Sequence, residues 1–252
     1  MSWRQTIPIG LTLCAMLAGF FSLLATAAGD YYRAAQLIML SMLLDGLDGT
    51  LARLFKGVTK FGADLDTYVD MTSFGLAPAF LAYELVLKEA DFWGLALTSG
   101  IVLSGVLRLS RFRIGDPHRG QRGFLGLPIT ANAGWIALFV LVTQSGVVSE
   151  DALSLHHGPT AAFIWAAVCA MILLQVSHLH YSKPTKGPKG MLPGVLLIAA
   201  LFLPPRWAVA AALTLCLIDF VYAFVTPFLY RRASLAVAYE EDRREGSVNF
   251  PR

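Results

Sequence analysis

Residues 32–87 read YRAAQLIMLSMLLDGLDGTLARLFKGVTKFGADLDTYVDMTSFGLAPAFLAYELVL. Two long apolar runs flank a short basic loop. Asp45 and Asp48 lie before the loop, and Asp66 and Asp70 lie after it. Runs of this length and apolarity are read as membrane-crossing helices. A carboxylate in hydrocarbon costs several kcal/mol, so acids in such helices face a cavity, a cation or a partner. Asp45 and Asp48 are three apart and Asp66 and Asp70 are four apart, so each pair shares a helix face. The short loop makes the two helices antiparallel neighbours, and both pairs are expected to converge on one volume.

The apolar character extends along all 252 residues. Hydrophobic residues make up 56% and charged residues 15%, against about 25% charged in a soluble domain. Mean hydropathy is +0.60. These values exclude an ordinary soluble domain and a disordered chain. A net charge of +3 is too mild for nucleic-acid binding. Spans are expected near 7–28, 32–55, 61–87, 91–110, 127–147, 159–178, 190–204 and 207–230. The fold class is therefore all-α, a polytopic integral membrane protein of about eight helices around a cytoplasm-facing polar cavity. One transmembrane domain is expected over 1–232, followed by a polar cytoplasmic tail over 233–252. The first run resembles a signal peptide, but the stretch from Ile7 to Ala28 has the length of a retained span. With the N-terminus inside, all of the 20 Lys and Arg except Arg33, Lys88 and Arg206 fall in cytoplasmic segments. That bias follows the positive-inside rule, so both termini are expected on the cytoplasmic side of the cell membrane. Cys14, Cys169 and Cys216 each sit in an apolar run and read as buried small hydrophobes.

Four convergent carboxylates need cations to coexist in low dielectric. An all-oxygen donor set suits Mg²⁺ or Mn²⁺. Two such ions form the clamp used for displacement at phosphorus. Gly46, Gly49 and Gly62 remove side-chain bulk beside the acids, which lets a substrate approach the backbones. From the acids alone, an enzyme and a divalent-metal or proton-coupled transporter are equal readings.

The full spacing is Asp45-x2-Asp48-Gly49-x2-Ala52-Arg53-x8-Gly62-x3-Asp66-x3-Asp70. It resembles the signature of the CDP-alcohol phosphatidyltransferase family at every defined position. The resemblance implies a core of six transmembrane helices, usually in a homodimer, and two divalent cations held by Asp45, Asp48, Asp66 and Asp70. It implies that Asp70 is also the catalytic base, and that Asp48, Gly49, Ala52, Arg53 and Gly62 bind the CDP-lipid. The two helices beyond six leave open which ones form that core. The implied reaction is attack by an acceptor alcohol on CDP-diacylglycerol, releasing CMP.

Further segments resemble the phosphatidylserine synthase branch of that family: SFGLAPAF (73–80), RLSRF (108–112), GFLGLP (123–128) and SHLHYSKPTKG (177–187). They imply L-serine as acceptor. Arg113 stands where that branch often has Asn, and GLPITANAG (126–134) departs from its usual form. Glycerol 3-phosphate, inositol or its phosphate, and choline are the alternative acceptors. Arg108 and Arg111 share a face at the cytoplasmic end of the fourth helix, and a guanidinium fork fits a carboxylate. Both are expected to bind the acceptor, with Ser73 helping to position it. Lys183, Lys186 and Lys189 are expected to meet anionic head groups. His178 and His180 read as interfacial, His156 and His157 as part of an outside loop, and Asp64 as a solvated charge. Asp219, within LCLIDFVYAF (215–224), falls outside the motif and reads as paired with a basic residue or placed at a subunit interface.

Overall fold

A computed structural model describes residues 3–115, 123–147, 158–182 and 188–246, with side chains over 3–114, 125–147, 161–181 and 192–228. His156, His157, Lys183 and Lys186, and the side chain of Lys189, lie outside the described residues. The described chain is predominantly helical. Helix α1 spans Trp3–Ala27 and α2 spans Tyr31–Leu54. Helix α3 (60–87) is continuous but not uniform. It is α over Lys60–Val69, a wider π-helix over Asp70–Leu76, α again over Ala77–Ala82 and π over Tyr83–Leu87. The remaining helices are α4 (Asp91–Gly115), α5 (Ile129–Thr143), α6 (Gly158–Val176), α7 (Pro188–Ala200) and α8 (Pro205–Gly246). By length and composition, Trp3–Ala27, Lys60–Ile114 and Pro205–Phe228 are long and apolar enough to cross a membrane; Ile129–Thr143 and Ala161–Val176 are shorter apolar helices.

The chain reverses between α1 and α2 at Gly29, whose φ of 78° is open to glycine at little cost. Asp30 caps α2 by accepting from the Arg33 N–H at 3.2 Å. The buried residues of α1 include the small Ala15, Ala18, Gly19 and Ser22, and those of α2 include Ala34, Ala35 and Ser41. Small residues let helix backbones approach closely where lipid supplies no hydrophobic drive. Hydroxyls then reach across. Ser22 Oγ donates to Ala34 O at 2.9 Å, and Ser41 Oγ donates to Ala15 O at 2.8 Å. Ser73, in the π segment of α3, donates to the same Ala15 carbonyl at 3.3 Å. A Cβ on Gly19 would lie 2.1 Å from Ser73 Oγ and 2.8 Å from its Cα. Gly19→Ala is therefore expected to force the helices apart, costing about 1–3 kcal/mol. A melting scan in detergent should fall by roughly 2–10 °C; an unchanged midpoint would show that the seam yields freely.

Helix α5 is the centre of the packing, with nearly every residue from Ile129 to Leu141 buried. Trp135 stacks on Phe139 and meets Phe220 edge-on. Ile129 fits between α3 and α4, where Gly75 and Gly105 leave room for it. Gln175 on α6 is fully buried, and its Oε1 accepts from Ser104 on α4 (2.6 Å) and Asn132 on α5 (3.3 Å).

Three features differ from expectation. First, Cys14 and Cys169 are exposed and Cys216 is half-buried. In a membrane chain the outward face is apolar, so an apolar run does not imply a buried side chain. Second, helix α8 continues to Gly246, past the expected end of the span at 230 and into the expected tail. Ala, Glu and Arg dominate its extension and favour helix. Third, a two-stranded antiparallel ribbon pairs Gly123–Leu125 with His180–Ser182. Gly126, at φ 76°, turns the chain there, and a Cβ would sit 2.4 Å from Gln175 O. His180 is thus a strand residue, while His178 is exposed beside the ribbon. Tyr181 is buried in the ribbon and donates to Ala223 O at 2.9 Å. Burial pushes its phenol up to about 12, so it remains a donor.

Candidate active site

Helices α2 and α3 hold the acids, and the loop between them is anchored at both ends. Thr59 caps α3 by accepting from the Gly62 N–H at 3.0 Å. A Cβ on Gly57 would lie 2.2 Å from Arg4 O, so only glycine lets the N-terminal turn of α1 close on the loop. The carboxylate oxygens of Asp45, Asp48 and Asp66 then converge within 4.8 Å of one another. Asp48 is 4% exposed, and Asp45 and Asp66 are half-buried. Asp45 Oδ1 is buried with no hydrogen-bond partner among the described residues.

Three converging carboxylates, one with an orphaned buried oxygen, fit a hard divalent cation. The cluster could hold such an ion through Asp45, Asp48 and Asp66. Asp70 stands one turn further along α3, outside this 4.8 Å group. It still interacts electrostatically with Asp45 and Asp66, and Arg108 opposes them from α4.

Beside the acids lies a cleft of about 350 Å³. Asp48, Gly49, Ala52, Arg53, Gly62 and Asp66 line it, so the residues expected to bind the CDP-lipid share one wall. The Arg53 guanidinium is steadied by Thr50 Oγ1 at 3.3 Å. The opposite wall was not legible in the signature. Gln5, Pro8, Ile9 and Thr12 supply it from α1. Their spacing of i, i+3, i+4, i+7 is one helical stripe, visible in the sequence but indistinguishable there from core packing.

The residues expected at the acceptor separate. Arg108 lies over the Phe112 ring at 5.6 Å and interacts with Asp70. Arg111 points elsewhere: its Nη1 and Nη2 donate to Ser177 O (3.1 Å) and Val176 O (3.0 Å), closing the C-terminus of α6. Ser73 is fully buried against α1. Arg113 forms an ion pair with Asp64 and donates to Ala63 O at 3.1 Å, so Asp64 is paired and not merely solvated. Asp219 lines a separate apolar cavity of about 250 Å³ between α2, α5, α7 and α8. Its Oδ2 is buried without a hydrogen-bond partner among the described residues.

The sequence profile of the CDP-alcohol phosphatidyltransferase family matches residues 5–176. A Methanocaldococcus jannaschii protein named CDP-diacylglycerol–serine O-phosphatidyltransferase is 35% identical over 191 residues, covering 75% of this chain and 81% of the relative. The archaetidylserine synthase of Methanothermobacter thermautotrophicus is 35% identical over 181 residues, 70% of each chain. A Helicobacter pylori CDP-diacylglycerol–serine O-phosphatidyltransferase is 28% identical over 210 residues, 82% of this chain and 86% of its own. The matched region contains the acid cluster, both cleft walls and α3–α5, and this chain belongs to the CDP-alcohol phosphatidyltransferase family.

Proposed function

We propose that the protein transfers a phosphatidyl group from CDP-diacylglycerol to the hydroxyl of L-serine, giving phosphatidylserine and CMP. One observation carries this reading: three converging carboxylates border the cleft formed by Gly49, Ala52, Arg53 and Gly62. The names of the relatives support serine as the acceptor. All eight helices are taken as membrane crossings, with both termini and the acid cluster towards the cytoplasm.

Two divalent cations bound by Asp45, Asp48 and Asp66 would neutralise the pyrophosphate and stabilise departing CMP. The protein's own residues do the rest. Gly49 and Gly62 let the nucleotide approach the helix backbones, and Arg53 offers its guanidinium to the phosphates. Asp70 accepts the proton of the acceptor hydroxyl as that oxygen attacks phosphorus. Arg108, facing Asp70, binds the acceptor carboxylate. Arg111 has both terminal nitrogens on carbonyls of the α6 end, and it supports the acceptor side by fixing α4.

The test is CMP release by purified protein in detergent with CDP-diacylglycerol and Mn²⁺ or Mg²⁺. Serine, glycerol 3-phosphate, inositol, inositol phosphate and choline are compared. Serine alone should stimulate release, and Arg108→Ala should raise the KM for serine by about tenfold or more. Stimulation by a different alcohol would discard the serine pocket and keep the acid-cluster chemistry. No release with any acceptor, from folded protein, would overturn the enzyme reading.

A further inference from the structure

Helix α1 lies outside the aspartate signature, yet it is tied to both acid-bearing helices. The Ala15 carbonyl accepts from Ser41 on α2 and from Ser73 on α3. Ser41 is two turns before Asp48, and Ser73 is two turns after Asp66. A single carbonyl on α1 therefore sets the register of both acid helices. One turn back along α1, Thr12 is 5% exposed, and its hydroxyl donates directly to Asp48 Oδ2.

Thr12 Oγ1 also lies 3.0 Å from Pro8 O, the usual back-bonding partner of a helical threonine. A hydroxyl carries one proton, so donating to Asp48 leaves the Pro8 carbonyl without it. The β-branched side chain has few rotamers in a helix, so the oxygen is aimed before any ligand arrives. Asp48 is the most deeply buried member of the converging acids, and a buried carboxylate with free rotation would be a poor ligand.

We infer that Thr12 is a positioning residue for the metal centre. Its hydroxyl holds Asp48 Oδ2, so that the other carboxylate oxygen is presented to a divalent cation, and the Ala15 tie keeps α1 in register for that task. The inference rests on the reading of Asp45, Asp48 and Asp66 as cation ligands. Outer-shell partners of metal ligands typically contribute 10–100-fold in affinity.

The test measures Mn²⁺ binding by calorimetry on the full-length protein in detergent, without substrate. Thr12→Val keeps the shape and removes the hydroxyl. It should weaken Mn²⁺ binding about 10–100-fold. Thr12→Ala should do the same, and Thr12→Ser should restore binding. Because Ser41 and Ser73 still hold Ala15, the melting midpoint without metal should stay near wild type for the serine variant. Wild-type protein that binds no Mn²⁺ would overturn the cation reading itself. Wild-type binding matched by both hydroxyl-free variants would overturn the role of Thr12 and leave the cation reading intact.

Discussion

The Asp70→Asn variant is expected to release CMP about 10²–10⁴-fold more slowly than the wild type. Asparagine keeps the size of the side chain and removes the basic oxygen. Asp70 interacts with Arg108, which we place at the acceptor, and it lies outside the group that converges within 4.8 Å. The two placements separate its roles. If Asp70 serves as the base, Mn²⁺ binding in calorimetry should survive the substitution while turnover collapses. Loss of both would make Asp70 a cation ligand as well, as the family resemblance implies. Near-normal turnover would remove it from the proton transfer. Single-turnover measurements at saturating donor distinguish slow chemistry from weak binding.

The second large effect is expected on metal removal. Chelation should reduce CMP release by about 10³-fold, since a bound divalent ion contributes several kcal/mol to charge stabilisation in the transition state. Mn²⁺ or Mg²⁺ should restore it. A readout independent of turnover follows from the same cluster. Without a cation, three carboxylates face one another inside 4.8 Å, so an ion that binds only the folded protein stabilises it. At about 100 times the dissociation constant that gain is about 2.7 kcal/mol. Melting midpoints should rise with added Mn²⁺, and the rise should vanish in Asp48→Asn. A midpoint indifferent to metal in the wild type would count against the cluster as a cation site.

Much of this site was legible as spacing. The acids stand on adjacent helices at intervals that share a face, and local periodicity decides that. The glycines between them announced a close approach, and Gly49 and Gly62 do line the cleft. What spacing did not carry is contact across the fold. Thr12 reads in sequence as a hydroxyl inside an apolar helix, where bonding to its own backbone is the ordinary outcome. Its bond to Asp48 joins positions 36 residues apart. Arg108 and Arg111 part for a related reason. Residues three apart share a face, but long side chains reach different partners from it: Arg111 extends to the end of α6, and Arg108 stays beside Phe112. Ser73 follows Asp70 by three, yet its oxygen is turned to Ala15 on α1.

The wide turns of α3 between Asp70 and Leu76 also set a phase. Hydrogen bonds in a π-helix reach one residue further than in an α-helix, so such a stretch behaves as an α-helix that has absorbed an insertion. Each residue advances a helix by about 100°. Upstream of the stretch stands Asp66, facing Asp48. Within it stand Ser73, moored to α1, and Gly75, against which Ile129 packs. Deleting one residue between 71 and 76 would remove that insertion and let the backbone relax towards α geometry with Asp66 and those moorings still in phase, whereas an extra residue in a plain α-helix would swing Asp66 about the axis relative to them. The wide turns thus take up the extra residue locally, and a further insertion left unabsorbed would turn one half of α3 against the other. The segment works as the timing gear between the end that reacts and the end that holds.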